Sequence, residues 1–161
     1  MKVLVTGANG FIGRQAIASL EGESSEVHAV SSGPVATVSK VAWHTADLLD
    51  LDQCSRLIEA VRPTHLLHLA WNAVPGVYWT TLDNLRWVQS SLQLLQAFIA
   101  CGGERVIMSG TCAEYDWSHP LFIEDPLTVR YSEAWLELKR STRVPLLAGE
   151  KNTAYACLGI A

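Results

Sequence analysis

The run Val3-Leu4-Val5-Thr6-Gly7-Ala8-Asn9-Gly10-Phe11-Ile12-Gly13 constrains this chain more than any other feature. An apolar, β-branched stretch ends on three glycines spaced three apart, and an amphipathic pattern follows at once. A strand that turns directly into a helix is built this way. The first glycine permits the tight turn, and the second lets a ligand approach the backbone. The third permits close helix–sheet packing. The new helix offers its unbonded N–H groups and the positive end of its dipole to an anion. Gly7, Gly10 and Gly13, with Asn9 in the turn and Phe11 and Ile12 in the first helical turn, are therefore the candidate residues for a dinucleotide pyrophosphate. A merely structural turn is the alternative, and the agreement of strand, spacing and helix favours the ligand.

Strands and helices then alternate. Residues 2–6 read as the first strand and 11–20 as the first helix. Residues 26–31 and 41–45 read as the next two strands, the former broken by Ser32-Gly33-Pro34. Leu51, Cys54, Leu57, Ile58 and Val61 recur at helical spacing, and Arg62-Pro63 closes that helix. Residues 64–70 form a continuous apolar run of strand length. Leu82, Leu85, Val88, Leu92, Leu95, Phe98 and Ile99 mark a long amphipathic helix, stopped by Gly102-Gly103, and 105–109 supply a fifth strand. Strands rich in Val, Ile and Leu between helices predict an α/β fold, a Rossmann-type doubly wound parallel sheet with helices on both faces. The alternation ends near Leu127. Residues 1–127 are thus expected to form a dinucleotide-binding domain, and 128–161 an atypical or truncated continuation.

Composition removes other classes. A formal charge of −4 and a pI near 5.7 argue against nucleic acid or an anionic membrane as partner. No apolar run approaches the ~20 residues that span a bilayer. Strand-like sequence begins at Lys2, which predicts no signal peptide. Cys54, Cys101, Cys112 and Cys157 form no CxxC pair, so reduced thiols and a cytoplasmic setting are expected. His65 and His68 lie three apart on an expected strand, facing opposite sides, so no metal site is expected from them. Most of the tryptophans are expected to pack; Trp71, directly after the fourth strand, is the candidate to line a ligand.

The glycine spacing is GxxGxxG, and Thr6-Gly7-Ala8-Asn9-Gly10-Phe11-Ile12-Gly13 resembles the opening of the extended short-chain dehydrogenases/reductases, the nucleotide-sugar epimerase and dehydratase group. The likeness continues through Asp47-Leu48, His68-Leu69-Ala70, Asn84 and Ser109-Gly110-Thr111-Cys112-Ala113-Glu114-Tyr115, covering about residues 1–127. It implies NAD or NADP as cofactor and a nucleotide-linked sugar as substrate. It also implies that Asp47 and Leu48 contact adenine, and that Leu69, Ala70 and Asn84 border the cofactor. Thr111 falls where the family places its active-site hydroxyl, which hydrogen-bonds the sugar oxygen that becomes a carbonyl, with Ser109 as the fallback. Read as plain strand-end residues, both hydroxyls bond local backbone instead, and Tyr115 either borders substrate or packs. An acidic residue at the end of the second strand would select NAD. Ser31 and Ser32 stand there, with Lys40 and Arg14 as candidates for a 2′-phosphate, so either cofactor remains open.

The catalytic pair departs from the family. The resemblance calls for Tyr-x-x-x-Lys on one helix, where the lysine lowers the tyrosine pKa. Tyr78, Tyr115, Tyr131 and Tyr155 are followed four residues later by Leu82, His119, Trp135 and Gly159. Tyr155, within Asn152-Thr153-Ala154-Tyr155-Ala156-Cys157, has the most family-like neighbours but lies late relative to Thr111. Residues 128–151 are then an insertion, a frame-altered stretch or a rebuilt loop, and the family's C-terminal substrate lobe is expected to be absent. Two functions stay open. One is the NAD(P)-binding domain of a nucleotide-sugar epimerase, dehydratase or reductase, incomplete for catalysis as this chain. The other is a non-catalytic NAD(P)-binding sensor or scaffold. The helix near 81–101 resembles one through which family members dimerise, so a homodimer is a further expectation.

Overall fold

Buried apolar runs such as Val3-Leu4-Val5 can satisfy their backbone groups only by pairing with strands on either side. In the computed structural model they do so in parallel. It describes residues 1–22, 25–35, 40–78 and 80–110, together with the backbone of 111 and 157–160. The elements run β1 (Lys2–Thr6), α1 (Phe11–Glu21), β2 (Glu26–Ser31), β3 (Ala42–Thr45), α2 (Leu51–Val61), β4 (His65–His68), α3 (Asp83–Ala100) and β5 (Arg105–Thr111). Val3 lies opposite Val27 of β2 and His65 of β4, and His68 lies opposite Met108 of β5. The strand order β3-β2-β1-β4-β5 therefore reverses direction between β1 and β4.

Helices cover both faces, as the sequence pattern predicts. Ile17 of α1 joins Val3, Val5, Val27 and Ala29 in one core, while α2 and α3 pack Ile58, Leu94 and Phe98 against Leu4, Val30, Leu66 and Val106 in the other. Alternating residues along β1 and β2 feed the two cores in turn, as the period of a strand requires. Asp50 caps α2 by accepting from the Asp52 and Gln53 amides, and Arg62 ends it in the left-handed conformation at φ 48° before Pro63.

Boundaries differ most from expectation at β4 and β5. The run 64–70 is a strand only over His65–His68. At its start the Thr64 amide and hydroxyl both donate to the Lys2 carbonyl; at its end Leu69 and Ala70 turn in toward the Thr6 hydroxyl. β5 continues two residues past 109, to Thr111. By internal contacts the chain divides into two compact units, 1–108 with 153–155 and 109–152 with 156–161. The second contains the end of β5 and a short strand, β6 (Cys157–Ile160).

Candidate functional site

The reversal of strand order leaves a crevice beyond the carboxyl ends of β1 and β4, and the glycine turn lies there. Gly7 sits at φ 64°, a conformation that disfavours side chains. A Cβ there would also come within 2.8 Å of the Ala70 nitrogen and 2.9 Å of the Leu69 oxygen. The first glycine thus lets the turn touch the end of β4. Gly10 donates to the Gly7 carbonyl at 3.0 Å, and that oxygen alone would crowd a Cβ at position 10. The rest of its surroundings is open. At Gly13 a Cβ would strike the Gly7 oxygen and the Ala8 backbone, just past the end of β1, so its absence lets α1 lie close to that strand end.

Helix α1 starts from Gly10 with no side-chain cap and no acidic residue in its first turn. The amides of Phe11, Ile12 and Gly13 belong to that first turn, where no carbonyl of the helix can reach them. They are the donors a phosphate oxygen uses. The Phe11 ring itself is 82% exposed, so this residue contributes its backbone and not a packed side chain. A bound pyrophosphate fits this cradle chemically: open approach over Gly10, uncapped donors and no competing carboxylate.

Around the turn the structure brings several expected residues together. Asn9 donates to the Ser31 hydroxyl at 3.1 Å, and the Gly33 amide donates to the same oxygen at 3.3 Å. Ser31 is buried, so this hydroxyl ties the glycine turn to the end of β2. Asp47 is exposed and accepts from the Leu49 amide at 2.9 Å, while its own amide donates to Gln53. Leu48 turns its side chain into the core, and its carbonyl accepts from both Cys54 and Ser90. Burial raises the Cys54 thiol above its ordinary pKa, so it donates as a neutral S–H.

Farther along, Asn84 near the start of α3 donates to the Tyr78 carbonyl at 2.7 Å, and its side-chain oxygen is buried without a hydrogen-bond partner. Such an oxygen is costly to leave unpaired and marks a place for a donor. Trp71 is 43% exposed, with its ring 6.0 Å from that of Trp87 on α3. Lys40 and Arg14 are both exposed. Ser109 is half-buried near the end of β5, and Thr111 is the last residue of that strand. The Thr111 side chain, Tyr115, Tyr131 and Tyr155 lie outside the described residues.

Sequence reasoning missed one set of residues. Buried Thr6 and His68 and half-buried Ser91 form a line of hydrogen bonds behind the crevice, His68 lying 2.7 Å from the Thr6 hydroxyl and 2.9 Å from that of Ser91. The signal was present but quiet: a threonine directly before the first glycine, a histidine at a strand end and a hydroxyl on an apolar helix. His65 instead bonds its neighbour Thr64 at 2.9 Å. Among the described residues no three His, Cys, Asp or Glu side chains gather in a way that could hold a metal ion.

A parallel sheet with this strand order and a glycine turn at its reversal defines the class, a Rossmann-type dinucleotide-binding fold. Residues 3–141 match the NAD dependent epimerase/dehydratase family, and the chain belongs to it. It is 28% identical over 117 residues to a dTDP-6-deoxy-L-talose 4-dehydrogenase (NAD(+)) of Aggregatibacter actinomycetemcomitans, covering 71% of this chain and 43% of that protein. The fold resembles UDP-glucose 4-epimerase of Thermotoga maritima, solved with UDP-glucose, at TM-score 0.64 and 26% identity over 88% of this chain and 48% of that one. UDP-glucose 4-epimerase of Thermus thermophilus, solved with NAD, gives TM-score 0.66 at 23% identity, over 88% of this chain and 51% of that one. The chain therefore spans 43% of the curated relative and 48% and 51% of these two epimerases.

Proposed function

We propose that the turn from Gly7 to Gly13 holds the pyrophosphate of NAD or NADP, in a domain of a nucleotide-sugar epimerase, dehydratase or reductase-type oxidoreductase. The observation that carries this reading is the uncapped start of α1 at the reversal of strand order. Asn9 and Ser31 hold the turn to β2, where the ribose 2′ position is read. With no acidic residue there, discrimination between NAD and NADP is weak, and Lys40 and Arg14 are the cations available to a 2′-phosphate. Asp47 and the Leu48 backbone border the adenine; Leu69, Ala70, Trp71 and Asn84 border the rest of the cofactor. The dinucleotide supplies hydride exchange at its nicotinamide. Thr111, with Ser109 as the fallback, hydrogen-bonds the reacting sugar oxygen, and Tyr155 is the candidate proton carrier.

Family relatives acting on dTDP- and UDP-linked sugars support a nucleotide-linked sugar as substrate. A second reading, a dinucleotide-binding module without turnover, rests on one observation: none of the four tyrosines has a lysine four residues later. Residues 1–127 are taken as the cofactor domain and 128–161 as its continuation. Leu82, Leu85, Val88 and Leu92 are exposed on or beside α3, which supports a homodimer through the 81–101 helix, to be checked by light scattering. Among the described residues no helix is long and apolar enough to cross a membrane, and Cys54 and Cys101 are free thiols, consistent with a cytoplasmic protein.

Calorimetric titration of the chain and of Gly10→Val with NAD and with NADP tests the cofactor reading. Binding by the parent chain that is lost in the folded variant is the expected result. Equal affinity in both refutes it.

A further inference from the structure

Thr6 is fully buried and is the last residue of β1, immediately before Gly7. Its hydroxyl oxygen accepts from the Leu69 amide at 3.2 Å and the Ala70 amide at 3.3 Å, and the Ala70 nitrogen belongs to the Leu69–Ala70 peptide that would crowd a Cβ on Gly7. The same hydroxyl lies 2.7 Å from Nδ1 of His68. Nε2 of His68 lies 2.9 Å from the Ser91 hydroxyl, and Ser91 donates its one proton to the Trp87 carbonyl at 2.8 Å.

Proton counting gives this line a single direction. Ser91 has spent its hydrogen on Trp87, so it can only accept from His68, and Nε2 must carry the ring proton. Nδ1 is then the acceptor, and Thr6 donates to it. The Thr6 oxygen in turn accepts from the two amides. Each hydroxyl both donates and accepts, so the bonds polarise one another along the line. Burial holds His68 neutral, its pKa lowered to about 4, so the arrangement persists at neutral pH.

We propose that Thr6, His68 and Ser91 are positioning residues for dinucleotide binding: one oriented hydrogen-bond line from β1 through β4 to α3 that sets the gap between Gly7 and Ala70. It rests on the cofactor reading of the Gly7–Gly13 turn. Apolar packing could hold the strands together, but it would not fix which way the Leu69 and Ala70 peptides face. Thr6 does so: its hydroxyl draws the Ala70 N–H inward and shares the Leu69 N–H with its own carbonyl oxygen, which lies at 3.3 Å. Ser91 extends the constraint to α3, the helix that carries Asn84 and Trp87.

The test uses three substitutions in the full chain. Thr6→Val keeps the shape and removes the hydroxyl; Thr6→Ser keeps the hydroxyl; Ser91→Ala removes the acceptor for Nε2–H. Long-range ¹⁵N–¹H spectra of the imidazoles report the tautomer, and calorimetry with NAD reports affinity at a temperature where each chain is fully folded. Expected are an Nε2–H tautomer for His68 in the parent chain and a mixture of tautomers in Ser91→Ala. Thr6→Val should bind NAD about tenfold more weakly, the effect of one lost buried bond, while Thr6→Ser stays within about twofold of the parent. If Thr6→Val does not fold, the tautomer change in Ser91→Ala and an affinity loss of about threefold decide in its place. An Nδ1–H tautomer, or parental affinity in Thr6→Val and Ser91→Ala, overturns the positioning role alone. No NAD binding by the parent chain overturns the cofactor reading, and the positioning role with it.

Discussion

His68 gives the fold a definite acid sensitivity. The ring is 4% exposed and neutral, with its pKa lowered by burial from 6.5 to about 4. When the chain unfolds, the ring returns to water and takes up a proton as pH falls through 6.5. Between the two values the unfolded state binds more protons than the native one, so stability falls as pH falls. It is complete above 6.5 and stops falling below about 4. At about 1.4 kcal/mol per pH unit, the gap from 6.5 to about 4 corresponds to roughly 3 kcal/mol, of which about 2 kcal/mol is gone by pH 5. That is a large part of the ~5–15 kcal/mol by which domains are usually stable. His44, lowered by burial and by the nearby His28, acts in the same direction. Glu26 and Asp50, both lowered mainly by side-chain hydrogen bonds, lose their contributions only below their ordinary 4.5 and 3.8. Urea unfolding of the parent chain and of His68→Gln across pH 8 to 4.5 isolates the term by difference. The variant should start weaker and lose less on acidification. Parallel curves for the two proteins would refute the argument.

Two further substitutions read the backbone directly. Gly7→Ala combines left-handed strain of about 1–2 kcal/mol with a collision against the Leu69 and Ala70 backbone, and should cost more than about 3 kcal/mol in urea unfolding. Gly33→Ala, where nothing lies within 4 Å of the added carbon, should leave stability nearly unchanged and serves as the control. Arg62→Gly relieves a non-glycine residue at φ 48° at the end of α2 and should raise stability by about 0.5–1 kcal/mol, measured by the same unfolding midpoint.

What could be read from the sequence was what local chemistry encodes. Helical spacing from Leu51 to Val61 and the Arg62-Pro63 boundary act within a few residues, so the body and the end of α2 were legible, while its Asp50 cap emerged only from the structure. The glycine turn was legible for the same reason. Contacts across the chain were not. Asn9 meets Ser31 across 22 residues, and Thr6 meets His68 across 62, and neither partner carries a mark that names the other. The strand run 64–70 was overread because apolar character alone cannot show that Leu69 and Ala70 bend inward to a hydroxyl. Leu48 shows the limit of a family likeness. A motif position carries over, but which of its atoms meets solvent depends on packing, and here the side chain belongs to the core.

The contrast between two helix starts yields the sharpest test of the site. α2 begins from Asp50, whose carboxylate accepts from the Asp52 and Gln53 amides, whereas α1 begins from Gly10 with no side-chain cap. Gly10 has φ −73° and ψ 177°, the extended conformation in which Ser, Asp or Asn normally cap a helix. Nothing in the backbone requires glycine there, apart from the Gly7 oxygen 3.1 Å from an added Cβ. The glycine thus forgoes a cap that geometry permits, which makes sense if the first-turn amides serve a bound anion. Gly10→Asp should satisfy those amides from within the chain. Its stability should change by no more than about 0.5 kcal/mol, because the cap gain of a few tenths is offset by the tight Cβ contact. NAD affinity should fall by about a hundredfold or more, since the new carboxylate occupies the donors and repels the pyrophosphate. Thermal unfolding and calorimetry on the same preparation give both numbers. A variant as stable as the parent that still binds NAD with parental affinity would mean that the start of α1 is not where the dinucleotide is held.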